Sequence, residues 1–174
     1  SLGVVSDQHP RNDFGEVTGY SASAGMNVVL DIDYTRDAAG RIVAKTEAVD
    51  GGPAESTFYK YDPAGRLWRV CGDDACTTMT AEYLYDLNSN RNAGFDPVHG
   101  SIAATYDEQD RMTSTGFGGQ TATYGYTANG ELQVKSDAGG NTYYDYDALG
   151  NLRQVILPDG ADIDYVVDGR SRRV

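Results

Sequence analysis

Apolar and polar residues alternate along this chain with period two, in short runs. In Tyr144-Asp145-Tyr146 and Tyr59-Lys60-Tyr61 two rings stand at i and i+2 with a polar residue between them. Side chains two apart share one face of a strand. Each run therefore predicts a half-buried β-strand with its tyrosines on one side. The alternation returns at Tyr83-Leu84-Tyr85 and Tyr124-Gly125-Tyr126, and in reduced form at Tyr34, Tyr106 and Tyr165. Segments 141–146 and 162–167 are typical strand lengths. The runs between them, such as Leu152-Arg153-Gln154-Val155-Ile156-Leu157, alternate poorly. Either both of their faces are covered or a bulge shifts the facing, and the pattern leaves both open. No window of about 11 residues carries i, i+3, i+4 periodicity. The pattern predicts an all-β chain.

Each tyrosine run ends in turn chemistry. Asp62-Pro63-Ala64-Gly65 fits a type I turn position by position, because Asp is favoured at i, Pro at i+1 and Gly at i+3. A Gly there can take positive φ and form a bulge that matches the twist of the strands. On this reading Asp37, Gly40, Asp62, Gly65, Asp86, Asp107, Gly130, Asp147 and Gly150 build repeat turns rather than a catalytic site. Turn openings fall at positions 12, 37, 62, 86, 107, 127, 147 and 168, with Asn12 in the place of Asp62. A second, opposite turn lies between each pair: Asp50-Gly51-Gly52-Pro53, Phe117-Gly118-Gly119-Gln120, Asp137-Ala138-Gly139-Gly140 and Pro158-Asp159-Gly160. A unit of about 20–25 residues with two short strands marks an array of antiparallel hairpins, a meander forming one long curved sheet. Tyr34, Tyr59, Tyr61, Tyr83, Tyr85, Tyr106, Tyr124, Tyr126, Tyr144, Tyr146 and Tyr165 recur at fixed positions and are expected to form a ladder between neighbouring hairpins. Residues 1–31 read as an irregular segment with a partial repeat, and 32–174 as one continuous domain of repeats. The last unit keeps Tyr165 and Asp168 but lacks the second tyrosine, and a strand from Arg172 is cut by the end of the chain.

Composition adds little to this and subtracts several functions. The chain has 174 residues, with 21 Gly and 13 Tyr against 4 Phe and 1 Trp. Gly marks turns and Tyr suits half-buried sheet surfaces. The formal net charge of −12 argues against nucleic acid and anionic membranes as partners. No apolar run approaches the roughly 20 residues that span a bilayer as a helix. Ser1-Leu2-Gly3 shows no signal peptide, and the chain reads as a piece of a longer protein.

Candidate chemistry is sparse. Cys71 and Cys76 flank Gly72-Asp73-Asp74-Ala75, a polar loop between strands. A hairpin brings such residues within disulfide range; two reduced thiols, or a redox or metal pair, are the alternatives. A zinc site needs about four ligands, and only His9 and His99 remain, far off in sequence, with no role assigned. Asp31-x-Asp33, Asp145-x-Asp147 and Asp162-x-Asp164 place two carboxylates on one strand face. Paired carboxylates can hydrolyse glycosides or bind calcium. These recur with the repeat, which favours a solvated sheet surface, and Asp73-Asp74 reads as loop solvation. The tyrosines could form a carbohydrate platform, but packing between hairpins is the plainer reading, and Trp68 is assigned to the same packing. No phosphate loop, dinucleotide fingerprint or hydrolase elbow is present. No cofactor and no metal are expected.

The repeated Tyr-Asp-x-x-Gly-Arg-Leu, complete at 61–67 and nearly so at 126–132 and 146–152, resembles the RHS or YD repeat. The resemblance covers about four-fifths of the chain, from Ile32 onward. Segment 165–174 also resembles the stretch just before the RHS core of bacterial polymorphic toxins. In that family the hairpins join into a sheet that spirals into a hollow shell, as in bacterial toxin complexes and teneurins. The resemblance implies a non-enzymatic piece of shell wall, from a secreted or bacterial cell-surface protein, that encapsulates or presents a C-terminal toxin. Its implied partners are the remaining repeats and that toxin, in the same polypeptide. The alternative it implies is an extracellular adhesion or carbohydrate-binding module of teneurin type. The family's aspartyl self-cleavage site lies downstream of this chain. Asp62-Pro63 and Asp96-Pro97 are not read as that protease. An open fragment has two free sheet edges, so edge-to-edge self-association is expected.

Overall fold

The tyrosine runs and the turns between them set the strand boundaries. The structure is a computed structural model that describes residues 4–98 and 100–174. His99 and Ser1-Leu2-Gly3 lie outside the described residues. Fifteen strands form, and no helix is found among the described residues. They are β1 (Val5–Gln8), β2 (Gly19–Ala24), β3 (Asn27–Arg36), β4 (Ile42–Val49), β5 (Glu55–Tyr61), β6 (Leu67–Cys71), β7 (Met79–Tyr85) and β8 (Arg91–Asp96). The rest are β9 (Gly100–Tyr106), β10 (Met112–Phe117), β11 (Gln120–Tyr126), β12 (Leu132–Asp137), β13 (Gly140–Tyr146), β14 (Leu152–Ile156) and β15 (Asp162–Asp164). Sheet order is chain order, with no crossover, and the pairings are antiparallel. The all-β hairpin meander is thus the fold.

The chain divides into two compact units, Ser1–Tyr83 and Leu84–Val174. In the first, β1, β2 and the start of β3 occupy the stretch before residue 32. Register fixes the faces. Tyr34 stands opposite Lys45, Lys45 opposite Thr57, Tyr59 opposite Val70, and Val70 opposite Ala81. All of these, with Tyr61 and Tyr83, share one face. Phe58 and Cys71 pair on the other. In the second unit Ala104 faces Thr115 and Thr115 faces Ala122. Tyr124 faces Lys135, and Tyr144 faces Val155.

The core is thin, because each unit has one sheet layer and side chains are covered only by their neighbours on that face. The buried apolar residues are Ala22, Cys71 and Ala81 in the first unit and Ala104, Ala122 and Val155 in the second. Ala81, Ala104 and Ala122 each stand two residues before a tyrosine, hence on the tyrosine face. The half-buried rings carry the remaining apolar area.

The poor alternation of the return strands has a definite cause. Tyr61 pairs with Leu67 but Lys60 pairs with Arg69, leaving Trp68 as an extra residue. The same shift skips Val43, Thr113, Gln133 and Arg153 in the strand register. One residue after its Leu, Ile or Met, each of these return strands bulges and switches facing. Trp68 is therefore a bulge residue, and the Arg69 guanidinium lies 3.8 Å from its ring centroid.

Candidate site: the row of Asp turns and tyrosine rings

The turns share one geometry. In the turn that opens at Asp37, the Gly40 N–H donates to Asp37 O at 3.0 Å and the Asp37 N–H donates to Arg41 O at 3.0 Å. Positions 12, 62, 86, 107, 127, 147 and 168 repeat both bonds. The fourth residue takes positive φ, as at Gly40 (79°), Gly65 (82°), Gly130 (96°) and Gly150 (78°). Ser89, Asp110 and Ser171 hold that position at 72°, 59° and 58° without being glycine. The turn at 157–160 has the same pair of bonds, opened by Leu157.

The Asp side chain is used up by its own turn. Asp107 Oδ1 accepts from the backbone N–H groups of Gln109 (2.9 Å) and Arg111 (3.0 Å). Its Oδ2 accepts from Arg111 Nε at 2.7 Å. Asp37 and Asp168 bind Arg41 and Arg172 in the same way, and Asp62 binds Arg66. Asp86 and Asp147 use Asn90 and Asn151 instead. These bonds hold the carboxyls of Asp37, Asp107, Asp147 and Asp168 below the usual range, the side-chain bond to the fifth residue being the largest cause. For Asp62 the Arg66 backbone N–H is the largest cause. A carboxylate in this state is a structural acceptor, not a proton donor at neutral pH.

The fifth turn residue reaches the next hairpin, a role that reading one repeat at a time does not expose. Arg41 Cζ lies 4.5 Å from the Tyr61 ring centroid, and Arg111 Cζ 4.9 Å from that of Tyr126. A guanidinium over a ring face is attracted by its quadrupole. The same side chains cover the glycine of the following turn. A Cβ at Gly65 would stand 3.3 Å from Arg41 Nη1, and at Gly130 3.8 Å from Arg111 Nη1. Where the fifth residue is Asn90, its amide donates to Asp110 Oδ1 of the next turn at 2.7 Å.

The tyrosines divide into two kinds. At Tyr61, Tyr106 and Tyr126, the residue just before the turn ties its strand to the previous return strand; Tyr146, in the same position, makes no such bond among the described residues. Tyr61 Oη donates to Ile42 O at 2.7 Å, Tyr106 Oη to Arg91 O at 3.0 Å, and Tyr126 Oη to Met112 O at 2.7 Å. Arg36 stands where the second tyrosine would, and its Nη2 donates to Val17 O at 3.0 Å. The accepting carbonyl is always five residues past the preceding turn opening. Burial raises the phenols of Tyr61, Tyr126 and Tyr146. The first tyrosines differ. The hydroxyls of Tyr34, Tyr59, Tyr124 and Tyr144 make no hydrogen bond among the described residues. Tyr34 and Tyr59 flank Lys45, whose ammonium is bonded to Glu47; Tyr124 and Tyr144 flank Lys135, bonded to Asp137 at 2.7 Å. Tyr83 and Tyr85 lie on β7, and Tyr165 follows β15, its ring 4.3 Å from Arg173 Cζ.

The remaining candidates are dispersed. Cys71 and Cys76 are joined by a disulfide with Cα atoms 5.1 Å apart. Inside that loop Asp73 accepts from Thr77 and Thr78, which holds its carboxyl down to about 2. Asp74 pairs with Lys60 at 2.8 Å. Asp31 and Asp33 line the face of β3 opposite the tyrosines. Asp145 stands opposite Gln154, but Asp147 is committed to its turn, so these two do not form a carboxylate pair. Asp162 and Asp164 are exposed on β15. His9 bonds Asp7 at 2.9 Å with its ring against Tyr20. Among the described residues no group of three His, Cys, Asp or Glu side chains could hold a metal ion.

Comparison with known proteins gives one family and several relatives. The family model described as Teneurin YD-shell matches residues 1–174. The chain is 29% identical over 146 residues to the probable deoxyribonuclease RhsB of Dickeya dadantii (strain 3937), covering 81% of this chain and 9% of that protein. It is similar in fold, at TM-score 0.70 and 15% identity, to a chain of the Photorhabdus luminescens Tc holotoxin pore carrying a TccC3 mutation, over 97% of this chain and 10% of that one. A chain of the TcdB2–TccC3–TEV crystal structure follows at TM-score 0.69 and 15% identity, with the same coverage. This chain thus spans about a tenth of the length of these relatives.

Proposed function

This chain belongs to the teneurin YD-shell family, and on that premise we propose that it is a non-enzymatic length of shell wall in a secreted or surface-delivered bacterial toxin, where it encapsulates or presents a C-terminal toxin of the same polypeptide. The observation that carries the reading is the commitment of the repeated side chains. Each turn Asp is consumed by its own backbone and its fifth residue, and Arg41 and Arg111 turn to the next hairpin rather than to a cleft. Such groups stiffen a surface and leave no poised acid, base or nucleophile. The names of the relatives, a deoxyribonuclease and a holotoxin pore, support toxin delivery as the setting. The mechanism is containment: a hydrogen-bonded sheet separates a guest polypeptide from its surroundings.

The test uses the longer polypeptide that carries this chain. Limited proteolysis followed by mass spectrometry should leave its C-terminal region intact while Gly65 and Gly150 are unchanged. Valine at both positions should expose that region to cleavage. A C-terminal region cut equally fast in both proteins would overturn the containment reading.

The free hydroxyls of Tyr34, Tyr59, Tyr124 and Tyr144 favour a second reading, an adhesive face that binds carbohydrate through aromatic rings with polar tips. A glycan array gives binders that Tyr124→Phe weakens if this is right; an array without binders removes it.

A further inference from the structure

We propose that Asn129 is a site of spontaneous deamidation and isomerisation, gated by the hydrogen bonds of its own turn. The inference stands apart from the shell reading. Asn129 is exposed at the tip of the turn that opens at Thr127, and Gly130 follows it. The glycine has no side chain to hinder approach of its amide nitrogen to the Asn129 side chain. The other asparagines at turns are held. Asn88 and Asn90 donate to Asp110, Asn90 and Asn151 to the Asp that opens their turn, and Asn12 to Glu16. Asn129 makes no side-chain hydrogen bond among the described residues, and its amide is free to rotate.

In the reaction the Gly130 amide nitrogen attacks Asn129 Cγ. The new C–N bond closes a succinimide, the Cγ–Nδ2 bond breaks, and ammonia leaves with the proton from Gly130. Water then opens the ring at one carbonyl to give aspartate or at the other to give isoaspartate. The net change is one water gained and one ammonia lost, with no oxidant or reductant. The gate is the Gly130 N–H, which donates to Thr127 O at 3.0 Å. That bond must be given up before the nitrogen can lose its proton and attack. Isoaspartate adds a methylene to the backbone of a turn whose two hydrogen bonds tolerate none, and either product places a new carboxylate two residues before Glu131. The strand pair β11–β12 is then the place where the sheet ages first.

The experiment incubates the full chain in mildly alkaline buffer and reads it over time by peptide mass spectrometry and by labelling with an isoaspartyl methyltransferase. Chain unfolded in urea serves as the reference for the ungated rate. The expected result is an amide-to-acid mass change and methyl labelling at Asn129, about tenfold faster than at Asn88 or Asn90, accelerating in urea below the unfolding transition. N129A should lose the label. Equal conversion at the three asparagines, or no conversion at Asn129 while the unfolded reference converts, would overturn the proposal. A rate indifferent to urea would overturn the gate.

Discussion

At the scale of the residue, two tyrosines that look alike in sequence have different work. Tyr126 donates its hydroxyl to Met112 O, whereas the Tyr124 hydroxyl has no partner among the described residues. Tyr126→Phe should therefore lower stability by about 1 kcal/mol, and Tyr124→Phe should be close to neutral, both read by urea unfolding. Glycine positions also separate. A Cβ at Gly40 would lie 2.5 Å from Glu16 Oε1, while one at Gly15 meets nothing within 4 Å, though both residues have φ of +79°. Both alanine variants carry the backbone strain, and Gly40→Ala should be the more costly by the displacement of Glu16. At Gly150 a valine should cost about 1–2 kcal/mol from the left-handed backbone alone; a variant as stable as the parent contradicts the turn geometry. None of this was legible from one repeat. Tyr-x-Tyr says that two rings share a face, but which hydroxyl finds a carbonyl depends on the register of the preceding strand.

At the scale of the element, the hairpin was readable because each of its parts has a local cause. Period-two tyrosines mark the outward strand, and Asp-x-x-Gly marks the turn. The return strand was not readable, because a bulge at Val43, Trp68, Thr113, Gln133 or Arg153 changes which residues face the rings, and a bulge leaves no fixed residue type in sequence. The fifth turn residue was missed for a related reason. Its Asp partner lies in its own turn, but its ring partner lies in the next hairpin. The loop closed by Cys71 and Cys76 is the one covalent element. It spans so few residues that opening it should cost at most about 2 kcal/mol. Reduction should show first as faster proteolysis within 72–75, with the unfolding midpoint little changed.

At the scale of the whole molecule, the turn carboxylates act together. The lowered values of Asp37, Asp62, Asp107, Asp147 and Asp168 mean that the folded chain binds protons less readily than the unfolded one. Their contribution to stability is full above the ordinary value of 3.8 and is lost as pH falls through the lowered values, with Asp73 the last at about 2. The urea midpoint should hold steady down to that ordinary value and fall steeply beneath it. A midpoint flat to pH 2 would mean that the carboxylates are not coupled to folding. Family membership was legible from the repeat itself, since tyrosine runs followed by turn openings return every 20–25 residues along the chain. The division at Tyr83 and Leu84 was not, because it falls inside β7, where the alternation continues unbroken.

The order of the strands in the sheet is the order of the strands in the chain. Every strand therefore finds its partner in the residues that were made just before it. The loops to be closed are short, so the entropy lost at each step is small and does not grow with the length of the array. Such a sheet can be laid down one hairpin at a time while the rest of the polypeptide is still being synthesised or threaded through a narrow channel.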